Sequence, residues 1–323
     1  MNTNLKLRLA TKVAQLYYEK GLLQKQIARQ LYLSQATISR LLKLARDEDI
    51  VRTHVSVPLG VYNELENRLE ETFGLKEAIV AEAASDLEQD ITKSLGSAAA
   101  FYLESTLSNH DIIGISSWSI TLLAMVKSMQ PVSGISGTKV VQILGGLGNP
   151  AAETHANHLI KKLSTLVNGE PLFLPAPGIT PKKSLPDFYT EDEYVKIALD
   201  MFNQLTVAVV GIGAMQPSEL LSNSGNFFQP DELGSLKQIG AVGDICLHFF
   251  DETGKPIRHE LQNRVIGMNL GQLKKVPRTI GVAGGRRKAD SIRAALKGGY
   301  LDVLVTDHIT AEIILKNWQK DKD

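Results

Sequence analysis

Over residues 5–19 (LKLRLATKVAQLYYE) the apolar side chains Leu5, Leu9, Val13, Leu16 and Tyr17 fall at helical spacing. Lys20-Gly21 closes that helix, with glycine in the position after the C-cap. The pattern predicts a second helix over about 24–31 and a third over about 35–46, capped by Ser34. The β-branched run DIVRTHVSV (49–57) then predicts a strand or wing, and Pro58-Leu59-Gly60 punctuates it. VYNELENRLEETF (61–73) predicts a further helix, suited to a linker or a dimer contact.

From about residue 77 the pattern changes. Apolar, β-branched runs (AIVAEA, DIIGIS, KVVQILGG, PLFLPAP, LTVAVVGIG, DICLHFFD, RTIGVAGG, LDVLVTD) alternate with helical stretches at about 87–107, 119–130, 151–167, 191–203, 286–297 and 310–319. A loop is expected after LTVAVVGIG, and DICLHFFDETGKPI suits a hairpin around Glu252-Thr253-Gly254. Strands apolar throughout are covered on both faces, as in a parallel sheet between helices. The expected class is therefore α/β: a helix-turn-helix over 1–58, a linker helix over 59–76, and a doubly wound, mostly parallel α/β domain over 77–323.

Charge sharpens this division. Residues 1–46 hold nine Lys or Arg and one acid, Glu19, a net +8 balanced by −8 over the rest of a chain of zero net charge. A basic module on an acidic body suits a nucleic-acid partner. The single cysteine, Cys246, allows no internal disulfide and argues against a structural zinc site. No signal pattern and no apolar run of membrane-spanning length occurs, so a soluble, cytoplasmic protein is expected.

The stretch KQIARQLYLSQATISRLLKLAR (25–46) has the spacing of a helix-turn-helix. Ala28 is the small residue where the two helices touch. Ile27, Leu31, Leu33, Ile38 and Leu41 face the core. Gln35, Ala36, Thr37, Ser39, Arg40 and Lys43 are left outward on the second helix, with Lys25 at the start of the first. Gln suits adenine, Arg suits guanine, and Lys suits phosphate. The turn position where glycine is common holds Tyr32.

Four loops follow expected strands, where open α/β sheets bind ligands. GISSWSITLLAMV (114–126) runs a strand into a helix start rich in hydroxyls; Ser116, Ser117, Ser119 and Thr121 with free helix N–H groups suit phosphate, though serines are also ordinary caps. In QILGGLGNPAAETHANHL (142–159), Gly145-Gly146 admits close approach, and His155 and Asn157 follow. His155 and His158 lack a carboxylate or cysteine partner, so no metal is expected. VVGIGAM (209–215) lacks the third glycine of a dinucleotide fingerprint, and packing explains its glycine pair equally well. GVAGGRRKADSIRAAL (281–296) sets Lys288 at a glycine turn as a phosphate partner, with Arg286 and Arg287 solvated. With Asp244 to accept sugar hydroxyls, the set suits a phosphorylated polyol.

QIARQL…SQATISRLL, FGLKEAIVAE, KVVQILGG, LPAP, AVGDICLHFFDETGKPI, RVIGMNLGQLKKVPRTIGVAGGRRKADSIRAAL and LDVLVTD together resemble the SorC family of bacterial sugar-responsive transcriptional regulators, over essentially the whole chain. The resemblance implies an N-terminal helix-turn-helix for operator DNA and an effector domain related to sugar-phosphate isomerases and deaminases. It implies a homodimer or homotetramer and a carbohydrate effector, often phosphorylated. The family's phosphate loop falls on Ser116-Ser117-Trp118-Ser119, with Trp118 bulky for that place; its effector helix falls on His155 and Asn157, its acidic position on Asp244 and its phosphate lysine on Lys288. Where some members carry a basic residue, this chain has Leu144, so no Schiff base is expected there.

Two other functions compete with a sugar-responsive regulator of a carbohydrate operon. An isomerase or deaminase with a DNA-binding appendage would use Asp244 and His155 as acid and base, but neither sits in a catalytic motif, so no enzyme and no cofactor are expected. A ligand-independent architectural DNA protein would leave the glycine-rich loops without a purpose.

Overall fold

The computed structural model describes residues 3–48, 50–51, 62–180 and 189–320. The chain divides into two compact units, Met1–Pro58 and Leu59–Asp323.

The first unit consists of α1 (Thr3–Ala14), which continues as a π-helical turn over Gln15–Glu19, then α2 (Gln24–Leu31) and α3 (Gln35–Asp47). Its core joins Ala10, Val13, Ala14 and Leu16 of the first helix to Ile27 and Ala28 of α2 and Ile38, Leu41, Leu42 and Ala45 of α3. Ile27 and Ile38 are fully buried, and each such side chain stabilises the fold by roughly 1.5–3 kcal/mol. Leu31 and Leu33 are half-buried and pack against this core. Apart from Ile50 and Val51, the expected strand or wing over 49–57 lies outside the described residues.

The second unit is built on a parallel sheet. Its strands are β1 (Glu77–Ala81), β2 (Ile112–Ile115), β3 (Lys139–Gln142), β4 (Glu170–Leu172), β5 (Val207–Val210), β9 (Arg278–Val282) and β10 (Val303–Asp307), in the order β1-β10-β9-β5-β2-β3-β4. Every pairing in it is parallel. The alternate residues of β5 show why its strands read as apolar throughout. Val207 and Val209 face one core, with α5 (Glu88–Thr106), α6 (Ile120–Ser128) and α7 (Pro150–Leu166). Ala208 and Val210 face the other, with α4 (Asn63–Phe73), α8 (Glu193–Met201), α12 (Ala289–Lys297) and α13 (His308–Lys320). Helix α4, expected as a linker, instead buries Leu69 in this second core.

Between β5 and β9 the chain leaves the sheet. It forms a three-stranded antiparallel sheet of β6 (Gly213–Ala214), β7 (Ala241–Ile245) and β8 (His248–Asp251). Where only a loop was expected after β6, α9 (Glu219–Ser224) and α10 (Pro230–Gln238) form, the first capped by Ser218 and the second opening on Pro230. The run DICLHFFD is two strands, not one. It turns at Cys246-Leu247, both at positive φ (51° and 63°), and Ile245 pairs with His248. The expected turn at Glu252-Thr253-Gly254 follows it, with Asp251 accepting from Thr253 and Lys255.

Candidate functional site

In the first unit, α2 and α3 meet at a tight turn. Tyr32 takes the left-handed conformation there (φ 54°, ψ 40°), which is how the chain turns without glycine. Ser34 caps α3: its Oγ accepts from Thr37 N at 3.1 Å and lies 2.8 Å from Thr37 Oγ1. Gln35, Ala36, Ser39, Arg40, Lys43 and Lys25 are exposed. Thr37 is half-buried and its hydroxyl is engaged in the cap.

In the second unit, β2 and β5 are neighbours whose chains depart in opposite directions, β2 towards β3 and β4, β5 towards β9 and β10. Such a reversal leaves a crevice beyond the carboxyl ends of the strands. A cleft of about 710 Å³, its mouth included, opens there. Six segments line it. Ser116, Trp118, Ser119 and Thr121 follow β2; Leu144 follows β3; Gly211 to Ala214 follow β5; Asp244, Cys246 and Leu247 come from β7 and its turn; Arg287 and Lys288 follow β9; Glu88 and Thr92 come from α5.

Each side chain has a local reason for its place. Ser119 caps α6, accepting from Leu122 N at 3.3 Å, so the amides of the first turn of α6 are directed at the cleft end. A Cβ on Gly211 would stand 2.9 Å from Ser119 Oγ, and one on Gly213 would meet Asp244 Oδ1 at 2.0 Å. Glycine is thus required where the chain after β5 passes between the cap and the carboxylate. Lys288 is brought to Asp244 because α12 packs on β7: Ser291 Oγ donates to Val242 O at 2.8 Å.

The electrostatics follow from burial. Asp244 is pushed up to about 6, mainly by desolvation; the Leu247 N–H and the Lys288 ammonium oppose the rise. Burial pulls Lys288 down from the usual lysine value, helped by Arg287 and opposed by Glu88 and Asp244. Cys246 is raised by burial and by Asp244, which keeps it a neutral thiol at the cleft wall. Arg287 donates to Gln216 O at 2.8 Å and to Glu88 Oε1 at 3.3 Å, and Arg286 pairs with Asp86 at 2.7 Å. The two arginines expected to be merely solvated are therefore tied to α5 and its approach and to the loop after β6.

Of the residues expected from the sequence, Ser116, Ser119, Thr121, Asp244 and Lys288 come together at this cleft. Ser117 lies outside it: fully buried, it donates to Leu144 O at 2.8 Å and accepts from Gln142 Nε2 at 3.0 Å. Gly145 lies outside it too. A Cβ there would meet the Pro177 backbone at 2.4 Å, so packing accounts for this glycine, and its carbonyl accepts from Trp118 Nε1 at 3.0 Å. Asn157 is half-buried on α7 and does not line the cleft. The side chain of His155, on the same helix, lies outside the described residues. Sequence reasoning missed Gly211 and Gly213, although the glycine pair after an apolar strand was visible, and it missed Glu88 and Thr92, for which the sequence carries no signal. Among the described residues no cluster of His, Cys, Asp and Glu could hold a metal ion, and no helix is long and apolar enough to cross a membrane.

A basic helix-turn-helix unit joined to an α/β unit with a polar cleft at its switch point defines a regulator that responds to a small ligand. Comparison with known proteins places it further. Residues 58–316 match the family described as "Putative sugar-binding domain". The chain is 33% identical over 312 residues to the deoxyribonucleoside regulator of Bacillus subtilis, covering 97% of this chain and 98% of that one. It is 32% identical over 317 residues to the sorbitol operon regulator of Klebsiella pneumoniae, covering 96% and 98%. The crystal structure of that full-length regulator, SorC, superposes with a TM-score of 0.72 at 30% identity over 96% of this chain and 99% of that one. The chain belongs to the SorC family of sugar-binding transcriptional regulators. Its relatives are regulators, not enzymes.

Proposed function

We propose that the protein regulates a carbohydrate-utilisation operon in the cytoplasm, and that a phosphorylated sugar or polyol bound in the cleft alters its hold on operator DNA. On the DNA side, Gln35, Ala36, Ser39 and Arg40 are the groups for base edges and Lys25 and Lys43 the groups for phosphates, with Thr37 fixing the start of α3. The reading rests on the exposure of these residues on a unit rich in Lys and Arg. A homodimer or homotetramer presenting paired recognition helices suits this mode, since helix-turn-helix proteins read two half-sites.

On the effector side, one observation carries the reading: the ammonium of half-buried Lys288, which makes no hydrogen bond or ion pair among the described residues, stands at the cleft with the capped start of α6. A half-desolvated ammonium and a helix N-terminus favour an anion between them. Ser116 and Ser119 add hydroxyl donors, and Asp244 accepts sugar hydroxyls. Ser117 and Gly145 act, in this proposal, by shaping the loops around the ligand. Differential affinity of the effector for two arrangements of the subunits shifts the DNA-bound population.

A thermal-shift screen of the full chain against sugars, polyols and their phosphate esters tests this. Stabilisation by a phosphate ester and not by its parent sugar is the expected result. Stabilisation by unphosphorylated sugars alone would contradict the anion site.

A further inference from the structure

Tyr32 is 97% exposed and holds a left-handed backbone at the junction of α2 and α3. Neither feature helps the fold. A bulky L-residue in the left-handed region is strained, and glycine would occupy it freely. A fully exposed aromatic ring contributes no packing. Its backbone already does what the turn needs: its N–H reaches the carbonyls of Ala28 and Arg29, and Leu33 N closes on Ala28 O at 2.9 Å. None of this uses the side chain. The phenol therefore stands ready for something outside the chain.

Its position says what that is. Tyr32 precedes the Ser34 cap by two residues and Gln35, the first residue of α3, by three. The surrounding unit holds Lys25, Arg29, Arg40 and Lys43, all exposed, and one acid among its first 46 residues. That charge complements a polyanion. Resting on the reading of α3 as the recognition helix, we infer that Tyr32 is a DNA contact: its hydroxyl donates to a backbone phosphate flanking the bases under Gln35, and its ring lies against the adjoining deoxyribose. Tyrosine is among the neutral residues that contact phosphate and sugar, and such contacts set register without reading sequence.

This contact has a signature that a lysine contact lacks. Tyr32 neutralises no phosphate and releases no counterion, so its loss weakens binding without changing the salt dependence. It also opposes stability, because glycine relieves the turn. The test compares full-length parent, Tyr32→Gly and Tyr32→Phe, with Arg40→Ala and Lys43→Ala as controls. Fluorescence anisotropy with a labelled random-sequence duplex over a salt series is paired with thermal melting. Tyr32→Gly is expected to bind roughly tenfold or more weakly, the scale of a hydrogen bond to a charged group, with an unchanged salt slope and a melting temperature equal to or above the parent's. Tyr32→Phe is expected to lose part of that affinity at unchanged melting temperature. Parent-like binding by Tyr32→Gly overturns the inference, as does a shallower salt slope. A lowered melting temperature in Tyr32→Gly with parent-like binding by Tyr32→Phe overturns it as well. Unchanged binding in both Arg40→Ala and Lys43→Ala would show instead that the recognition-helix reading itself has failed.

Discussion

The Asp244 carboxylate accepts the backbone N–H of Leu247 at 3.0 Å, so one side chain both lines the cleft and ties down a turn that two non-glycine residues hold at positive φ. Two-residue hairpins of this hand favour Asn-Gly, and Cys246-Leu247 is a costly alternative. The bond offsets that cost and makes the turn answer to whatever Asp244 binds.

The first prediction concerns the charge of Asp244. Its folded pKa, about 6, lies above the ordinary 3.8, so the folded state holds the proton more tightly. The stabilisation is complete below about pH 4 and is lost as pH rises through 6, by about 3 kcal/mol. Asp244→Asn should therefore gain stability relative to the parent as pH rises across that window. Both tryptophans, Trp118 and Trp318, lie in the second unit, so urea unfolding followed by tryptophan fluorescence reads it directly. A parent-to-variant difference independent of pH would contradict the assignment.

His248 should act in the opposite sense over much of the same range. Its Nε2 is buried with no hydrogen-bond partner among the described residues, and burial, opposed by hydrogen bonding with Gly267 and Gln262, lowers its pKa from 6.5 to about 4. The neutral ring is favoured in the fold, so this contribution is present above about pH 6.5 and is lost as pH falls through 4. His248→Gln should flatten the acid limb of the stability profile in the same unfolding experiment.

Gly213 should tolerate no side chain. Its added Cβ would meet Asp244 Oδ1 at 2.0 Å. Gly213→Ala is expected to cost about 1–3 kcal/mol and to remove thermal stabilisation by effector, because Asp244 must move. Gly234→Ala, where a Cβ meets nothing within 4 Å, is the control and should leave the effector response intact.

Recognition and charge should separate on α3. Gln35→Ala should relax base preference at one position, costing about 1–3 kcal/mol on the preferred sequence only. Lys43→Ala should weaken binding to every duplex and reduce the salt slope by about 0.9. Competition binding with a panel of sequences, repeated at several salt concentrations, distinguishes them.

The alternation of strands and helices was legible because the central strands β2 and β5 pack on both faces and carry no polar residue to obscure the run. The helix-turn-helix was legible because Ala28, Ile27, Ile38 and Leu41 must meet at fixed spacing. Helices α9 and α10 were missed: they are short and largely polar, and Gly234 interrupts the second, so they give a weak period. The turn at Cys246-Leu247 was missed because no glycine or asparagine marks it; the Asp244 carboxylate, which accepts the Leu247 N–H, ties it down instead. Ser117 and Gly145 looked like ligand groups because serine and glycine are also what close packing at a strand end demands. Which role each plays depends on Gln142 and Pro177, contacts that no local pattern reveals.

The central claim is that occupancy of the cleft at Lys288 governs DNA binding. Its most direct test is a titration of the labelled DNA complex with the compound that stabilises the protein, run on the parent and on Lys288→Ala. The account predicts that the parent's DNA affinity shifts with the compound, while Lys288→Ala keeps the parent's effector-free affinity and does not respond. A response in Lys288→Ala equal to the parent's would contradict it.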